Sequence, residues 1–177
     1  MRLFIAMDFD DTVKERLKKH VDFLEEHAEK GNFVPKDNLH ATVIFLGEVD
    51  ASKVDALKEA MRAPSIPPLE VTLTKIGAFN PPRPGKIYWV GVGENPLLQA
   101  MHRRLKDEVE KRGFSVDGRP FKPHITLGRK VSLDKERHNE LTNRFSPFQT
   151  VVGSLSLMVS EFKEGGVQYT PLFVRTL

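Results

Sequence analysis

His40-Ala41-Thr42-Val43 and His124-Ile125-Thr126-Leu127 spell one pattern, His-x-Thr-apolar, twice in a chain of 177 residues. The copies lie 84 positions apart (124 − 40), and their surroundings follow the same offset: Leu3-Phe4-Ile5-Ala6 returns as Ile87-Tyr88-Trp89-Val90. Leu3 stands 37 residues before His40, and Ile87 stands 37 before His124. A strand, an amphipathic helix and a motif-bearing strand thus occur twice in one order, so the chain reads as a duplicated unit. Side chains alternate along a strand, so His40 and Thr42 share a face, as do His124 and Thr126.

Outward from the first motif, Leu3 to Phe9 reads as a strand, followed by Asp10-Asp11-Thr12, residues suited to cap a helix. Val13, Leu17, Val21, Leu24 and Ala28 recur at three- and four-residue steps, which predicts a helix ending at Gly31. Leu39 to Leu46 is then a buried strand. In the second copy Ile87 to Val92 is a strand, and Pro96 opens a helix with Leu98, Met101, Leu105 and Val109 on one face and Gly113 at its end. Gly128 closes the second motif strand.

Between the copies, Val54, Leu57 and Met61 mark a short helix, Leu69 to Ile76 a strand, and the proline-rich Asn80 to Gly85 a boundary loop. Downstream, Leu133 to Phe145 reads as helix, and Phe148 to Phe162 with Val167 to Arg175 as a closing hairpin turned by Glu164-Gly165-Gly166. Strands broken by a few helices, with hairpin-type connections, argue for an α+β fold with antiparallel sheets. The organisation expected is a single bilobal domain built from two similar units, about residues 1–80 and 86–177.

Composition bounds the function. With 40% hydrophobic and 29% charged residues the chain is globular, and no apolar run approaches the roughly 18 residues of a membrane span. The absence of cysteine removes disulfides, thiolate catalysis and cysteine-ligated zinc. No glycine-rich phosphate loop follows a strand, so P-loop and dinucleotide-binding readings have no support. A net charge of +3 favours an anionic partner only mildly. A cytoplasmic protein is expected, acting as a monomer with no cofactor and no membrane.

The repeated pair carries the chemistry. Histidine gains and loses a proton near neutral pH without special tuning. Two imidazoles on opposite sides of a phosphorus atom can share an in-line displacement, one taking a proton from water and the other protonating the departing oxygen. Each threonine hydroxyl, two residues along, donates to non-bridging phosphate oxygens where charge concentrates. Arg129 is either a phosphate partner through its guanidinium fork or a solvated cation after a strand. Phe45 either stacks on a base or fills the core. His20, His27, His102 and His138 lack the motif and fall on predicted helices, as surface or boundary residues.

His-Ala-Thr-Val-Ile-Phe-Leu-Gly, from His40, and Phe-Lys-Pro-His-Ile-Thr-Leu-Gly-Arg, from Phe121, resemble the two-histidine (2H) phosphoesterases, and within them the RNA 2′,3′-cyclic phosphodiesterase, 2′-5′ RNA ligase-like branch. The resemblance runs through nearly the whole chain. It implies a bilobal α+β fold with pseudo-twofold symmetry and a cleft between antiparallel sheets. It also implies metal-independent hydrolysis of RNA ends or nucleosides bearing a 2′,3′-cyclic phosphate to a 2′-phosphomonoester. By motif, His40 is the general acid, His124 the general base, and Thr42 and Thr126 the phosphate clamps, although the near symmetry of the copies does not by itself assign the two histidines. Some relatives join RNA ends through a 2′,5′ linkage, so ligase activity is one alternative; a non-catalytic nucleotide- or RNA-binding module using the same cleft is another.

Overall fold

In the computed structural model, which describes every residue from Met1 to Leu177, thirteen principal elements follow one another: β1 (Arg2–Met7), α1 (Asp11–His27), β2 (Lys30–Phe33), β3 (Ala41–Glu48), α2 (Val54–Arg62), β4 (Leu69–Phe79), β5 (Lys86–Val92), α3 (Pro96–Lys111), β6 (His124–Ser132), α4 (Lys135–Arg144), β7 (Phe148–Val152), β8 (Ser154–Lys163) and β9 (Gly166–Thr176). The helices start where the caps predict. The Asp10 carboxylate accepts from the Val13 amide at 2.9 Å, and Asn95 accepts from Leu97 at 2.9 Å ahead of Pro96. Val13, Leu17, Val21 and Leu24 on α1, and Leu98, Met101, Leu105 and Val109 on α3, are all buried, as their spacing requires.

Three boundaries differ from the sequence reading. Gly31 does not end α1: the chain leaves the helix at Ala28 in an extended conformation (φ −76°, ψ 142°) and enters β2, where Gly31 lies against the Phe33 ring. Gly128 does not end β6, which continues to Ser132 through an irregularity described below. The segment Phe148 to Phe162 is two strands, divided at Gly153, and they go to opposite halves of the sheet. β7 pairs with β4, while β8 pairs with β1 and β9.

The strands lie in the order β7-β4-β5-β6-β3-β1-β8-β9, every pairing antiparallel, with β2 added against β6. Both halves of the sheet draw on both halves of the chain. β4 joins the half holding β5 and β6, and β8 and β9 join the half holding β1 and β3. The helices cross over as well: α1 packs against β6 and β2, and α3 against β3. The two halves meet through one residue pair, Ala41 with Ile125. From that bridge the motif strands diverge, and a cleft opens between them.

Pairing also refines the internal repeat. Ala41 faces Met7 on β1, and Ile125 faces Val90 on β5. Ala41 and Ile125 are 84 apart (125 − 41), but Met7 and Val90 are 83 apart (90 − 7). The structural equivalence of the two strands is thus displaced by one residue from the sequence match, and in a strand one residue exchanges the faces. Ala6 sits opposite Thr42, whereas Trp89 sits opposite Thr126.

Candidate active site

The Ala41–Ile125 bridge decides which side chains enter the cleft. Residues paired across an antiparallel ladder point to the same face, and both Ala41 and Ile125 are wholly buried in the core. Their neighbours therefore point the other way. His40, Thr42, His124 and Thr126 line one cavity of about 440 Å³, together with Arg129 and Phe45. The opposed strand directions put Thr126 on the His40 side of the bridge and Thr42 on the His124 side. Every site residue singled out in the sequence is brought to this cavity.

The imidazoles are held alike. His40 Nδ1 lies 2.7 Å from the carbonyl oxygen of Asn38, and His124 Nδ1 lies 2.9 Å from that of Lys122, in each case two residues upstream. A carbonyl only accepts, so each Nδ1 carries the proton and each Nε2 is the nitrogen left for chemistry. His40 Nε2 is 3.1 Å from the Thr42 hydroxyl. The His40 ring packs beside Phe4 (centroids 4.9 Å) and edge-on to Tyr169 (5.0 Å), while His124 meets Phe79 edge-on at 5.3 Å. Burial among these rings pushes the His40 pKa below the ordinary histidine value; its bond to Asn38 and the charge of Asp8 oppose the shift, while Arg129 and Lys14 add to it.

Phe45 and Arg129 each stand five residues after their motif histidine, at positions with the strand parity of Ala41 and of Ile125, which in an unbroken strand would face the core. Irregularities on both strands turn them over. The β1–β3 register slips between Ile5 and Ala6, which leaves Val43 and Ile44 consecutive and both buried and swings Phe45 outward. On β6 the register slips against β2 and against β5, and Arg129 and Lys130 are consecutive and both exposed. Such bulges re-aim side chains beside functional sites. Phe45 is 49% exposed with the Arg2 guanidinium 5.1 Å from its ring centroid, so of its two readings core filling is excluded.

Asn38, Arg2, Phe4 and Tyr169 also line the cavity and were not singled out in the sequence. Asn38 was legible in part as the residue two before His40. Tyr169 was not, because its place depends on β9 pairing with β8 and on that hairpin reaching β1 across a long separation in the chain.

A cleft at the seam of two pseudo-symmetric sheet halves, carrying one histidine and one threonine from each, defines a two-histidine phosphoesterase architecture. Residues 10–164 match the family model of the 2′-5′ RNA ligase superfamily, and the chain belongs to that family, within the two-histidine phosphoesterases. It is 30% identical to the RNA 2′,3′-cyclic phosphodiesterase of Thermotoga maritima over 98% of this chain and 94% of that one. It is 33% identical to the Escherichia coli K12 protein of the same name over 97% and 93%. Among solved structures it is similar to E. coli LigT complexed with 3′-AMP (TM-score 0.79, 31% identity, 99% and 97% of the two chains). A Thermus thermophilus protein aligns with a TM-score of 0.80 at 26% identity over 100% and 98%. No helix is long and apolar enough to cross a membrane.

Proposed function

We propose that the protein hydrolyses RNA or nucleoside 2′,3′-cyclic phosphates to 2′-phosphomonoesters by paired-histidine acid–base catalysis, without a metal. One observation carries the reading: two imidazoles and two hydroxyls, from strands joined at a single bridge, line one cavity, each imidazole with its Nε2 unclaimed by the backbone. The lining holds no carboxylate, so its donor set suits an anion. Relatives that span nearly the whole chain are named RNA 2′,3′-cyclic phosphodiesterases, which supports a hydrolase of that kind.

In the proposed step a water oxygen bonds to phosphorus opposite O3′, and the P–O3′ bond breaks. His124 Nε2 takes the proton from water, and His40 Nε2–H gives one to O3′, leaving a 2′-phosphate and a free 3′-hydroxyl. Thr42, Thr126 and Arg129 donate to the non-bridging oxygens, where negative charge accumulates. A binding module has no need of an acid and a base, which disfavours the non-catalytic reading. A 5′-hydroxyl in place of water turns the same step into 2′-5′ ligation, the second reading, which the family description favours.

Purified protein with 2′,3′-cyclic AMP and excess chelator is expected to yield 2′-AMP, identified by its chromatographic retention. His40→Ala and His124→Ala should each lose about 10²–10⁴-fold in kcat with an unchanged circular dichroism spectrum. Near-full activity in either variant, or 3′-AMP as the product, rejects the assignment. Adding an acceptor RNA with a free 5′-hydroxyl to the same reaction reports ligation as a longer, 2′-5′-linked product.

A further inference from the structure

Arg129 and Lys130, the two exposed cations at the β6 bulge, take part in none of the ion pairs of the molecule. Lys130 is also the one residue other than glycine with a left-handed backbone, at φ 53°. Its backbone packs against Gly85, itself at φ 87°, where a Cβ would lie 2.5 Å from the Lys130 carbonyl carbon. A conformation that costs lysine about 1–2 kcal/mol is thus found beside the cleft, and such strain concentrates at ligand clamps.

The cleft does not end at Arg129. A second groove, of about 790 Å³, continues between β2 and the tip of the β8–β9 hairpin, and it shares Asn38, Arg129, Phe162 and Tyr169 among others with the catalytic cavity. Lys130 and Asn32 line one wall and Gly165 and Gly166 the other, while Phe162 borders both the groove and the catalytic cavity. Phe162 is 89% exposed, the most open large apolar side chain in the molecule. Two further lysines on the groove, Lys18 and Lys36, are occupied by Asp22 and by Asp11 and Glu15, and the groove's one carboxylate outside these ion pairs, Glu25, lies on α1 with Lys18, on a different element from Lys130. Lys130 is therefore the free cation beyond Arg129. A free cation, exposed glycine backbone and an unburied aromatic ring together offer what a single strand of nucleic acid needs, charge for its phosphates and a face for its bases.

We propose that this groove binds the RNA chain immediately 5′ of the nucleotide carrying the cyclic phosphate, so that the preferred substrate is a single-stranded RNA end and not a free nucleoside cyclic phosphate. The proposal rests on hydrolysis in the cleft as read above. A 2′,3′-cyclic phosphate terminates the 3′ end, so the rest of the chain leaves the cleft through the 5′ oxygen of the same nucleotide. Arg129 stands where the two cavities join, and Lys130 meets the next phosphate along.

The test compares kcat/KM for 2′,3′-cyclic AMP with that for the trinucleotide UUA ending in a 2′,3′-cyclic phosphate, in the unmodified protein and in Lys130→Asn, asparagine being tolerant of the left-handed backbone. The trinucleotide should be preferred about tenfold or more. In the variant the mononucleotide rate should stay within about twofold, the preference should fall about fivefold, and the log–log salt slope for the trinucleotide between about 50 and 200 mM should flatten by about 0.7. Equal kcat/KM for the two substrates in the unmodified protein, or an equal loss on both in the variant, overturns the groove. Binding of the labelled trinucleotide to His124→Ala protein, followed by fluorescence anisotropy, separates the two readings. Lys130-dependent binding combined with no turnover of either substrate by the unmodified protein sinks the hydrolytic reading and upholds the groove, whereas turnover of both by the unmodified protein without Lys130 dependence sinks the groove alone.

Discussion

Arg129 is where the direction of proton transfer becomes measurable. Burial and the nearby guanidinium both hold the His40 pKa below the usual value of about 6.5. As general acid, His40 must be protonated, so kcat/KM is lost as pH rises through that depressed value, and the alkaline limb of the profile is expected below pH ~6.5. Arg129→Ala removes a cation, raises the His40 pKa and moves this limb upward. The maximum rate falls about 10–100-fold with the lost charged hydrogen bond of about 1.5–3 kcal/mol. A shift of the acid limb, with the alkaline limb fixed, would show His40 to be the base and exchange the two roles. The histidines and threonines were legible because the motif repeats and strand alternation puts each pair on one face. The exposure of Phe45 and the cleft position of Arg129 were not, since both sit at core parity and only a register slip, a relation between strands, turns them over.

At the scale of single elements, the irregular middle of β6 sets the geometry of the site, and the Pro84–Gly85 turn supports it. Gly85→Ala forces a Cβ against the Lys130 backbone at φ 87°. A destabilisation of about 1–3 kcal/mol is expected in a urea melt, with a drop in kcat/KM as the bulge and Arg129 shift. Gly153→Ala is the control, because nothing lies within 4 Å of its Cβ position. Equal stability of the two variants would refute the account. Helices were the most legible elements, since Asp10, Asn95, Pro96 and the apolar spacing act locally. Strand ends were less so. β2 carries the sequence Lys-Gly-Asn-Phe, which has no strand signal of its own and is extended because β6 is there to pair with it.

Across the whole molecule, four histidines, His20, His40, His102 and His138, have pKa values pushed down chiefly by burial. Below about pH 6.5 the unfolded chain binds protons that the folded chain refuses, so the stability these groups contribute is complete above that pH and is lost as pH falls toward their folded values. Tm should decline between pH ~7 and ~5, ahead of carboxylate protonation. His102→Phe, which keeps a ring against Phe121 (centroids 4.2 Å), should reduce the slope; a Tm flat across that range would contradict the prediction. The sequence by itself determined the α+β class, the helices and the duplicated His-x-Thr pair, because capping, periodicity and alternation act over a few residues. Only the tertiary structure decided that the copies interlock, that β7 and β8, on either side of Gly153, go to opposite halves of the sheet, and that the motif strands meet at Ala41 and Ile125. Pairing partners and register are long-range choices, settled by which apolar faces bury one another across the entire chain and not by any segment alone.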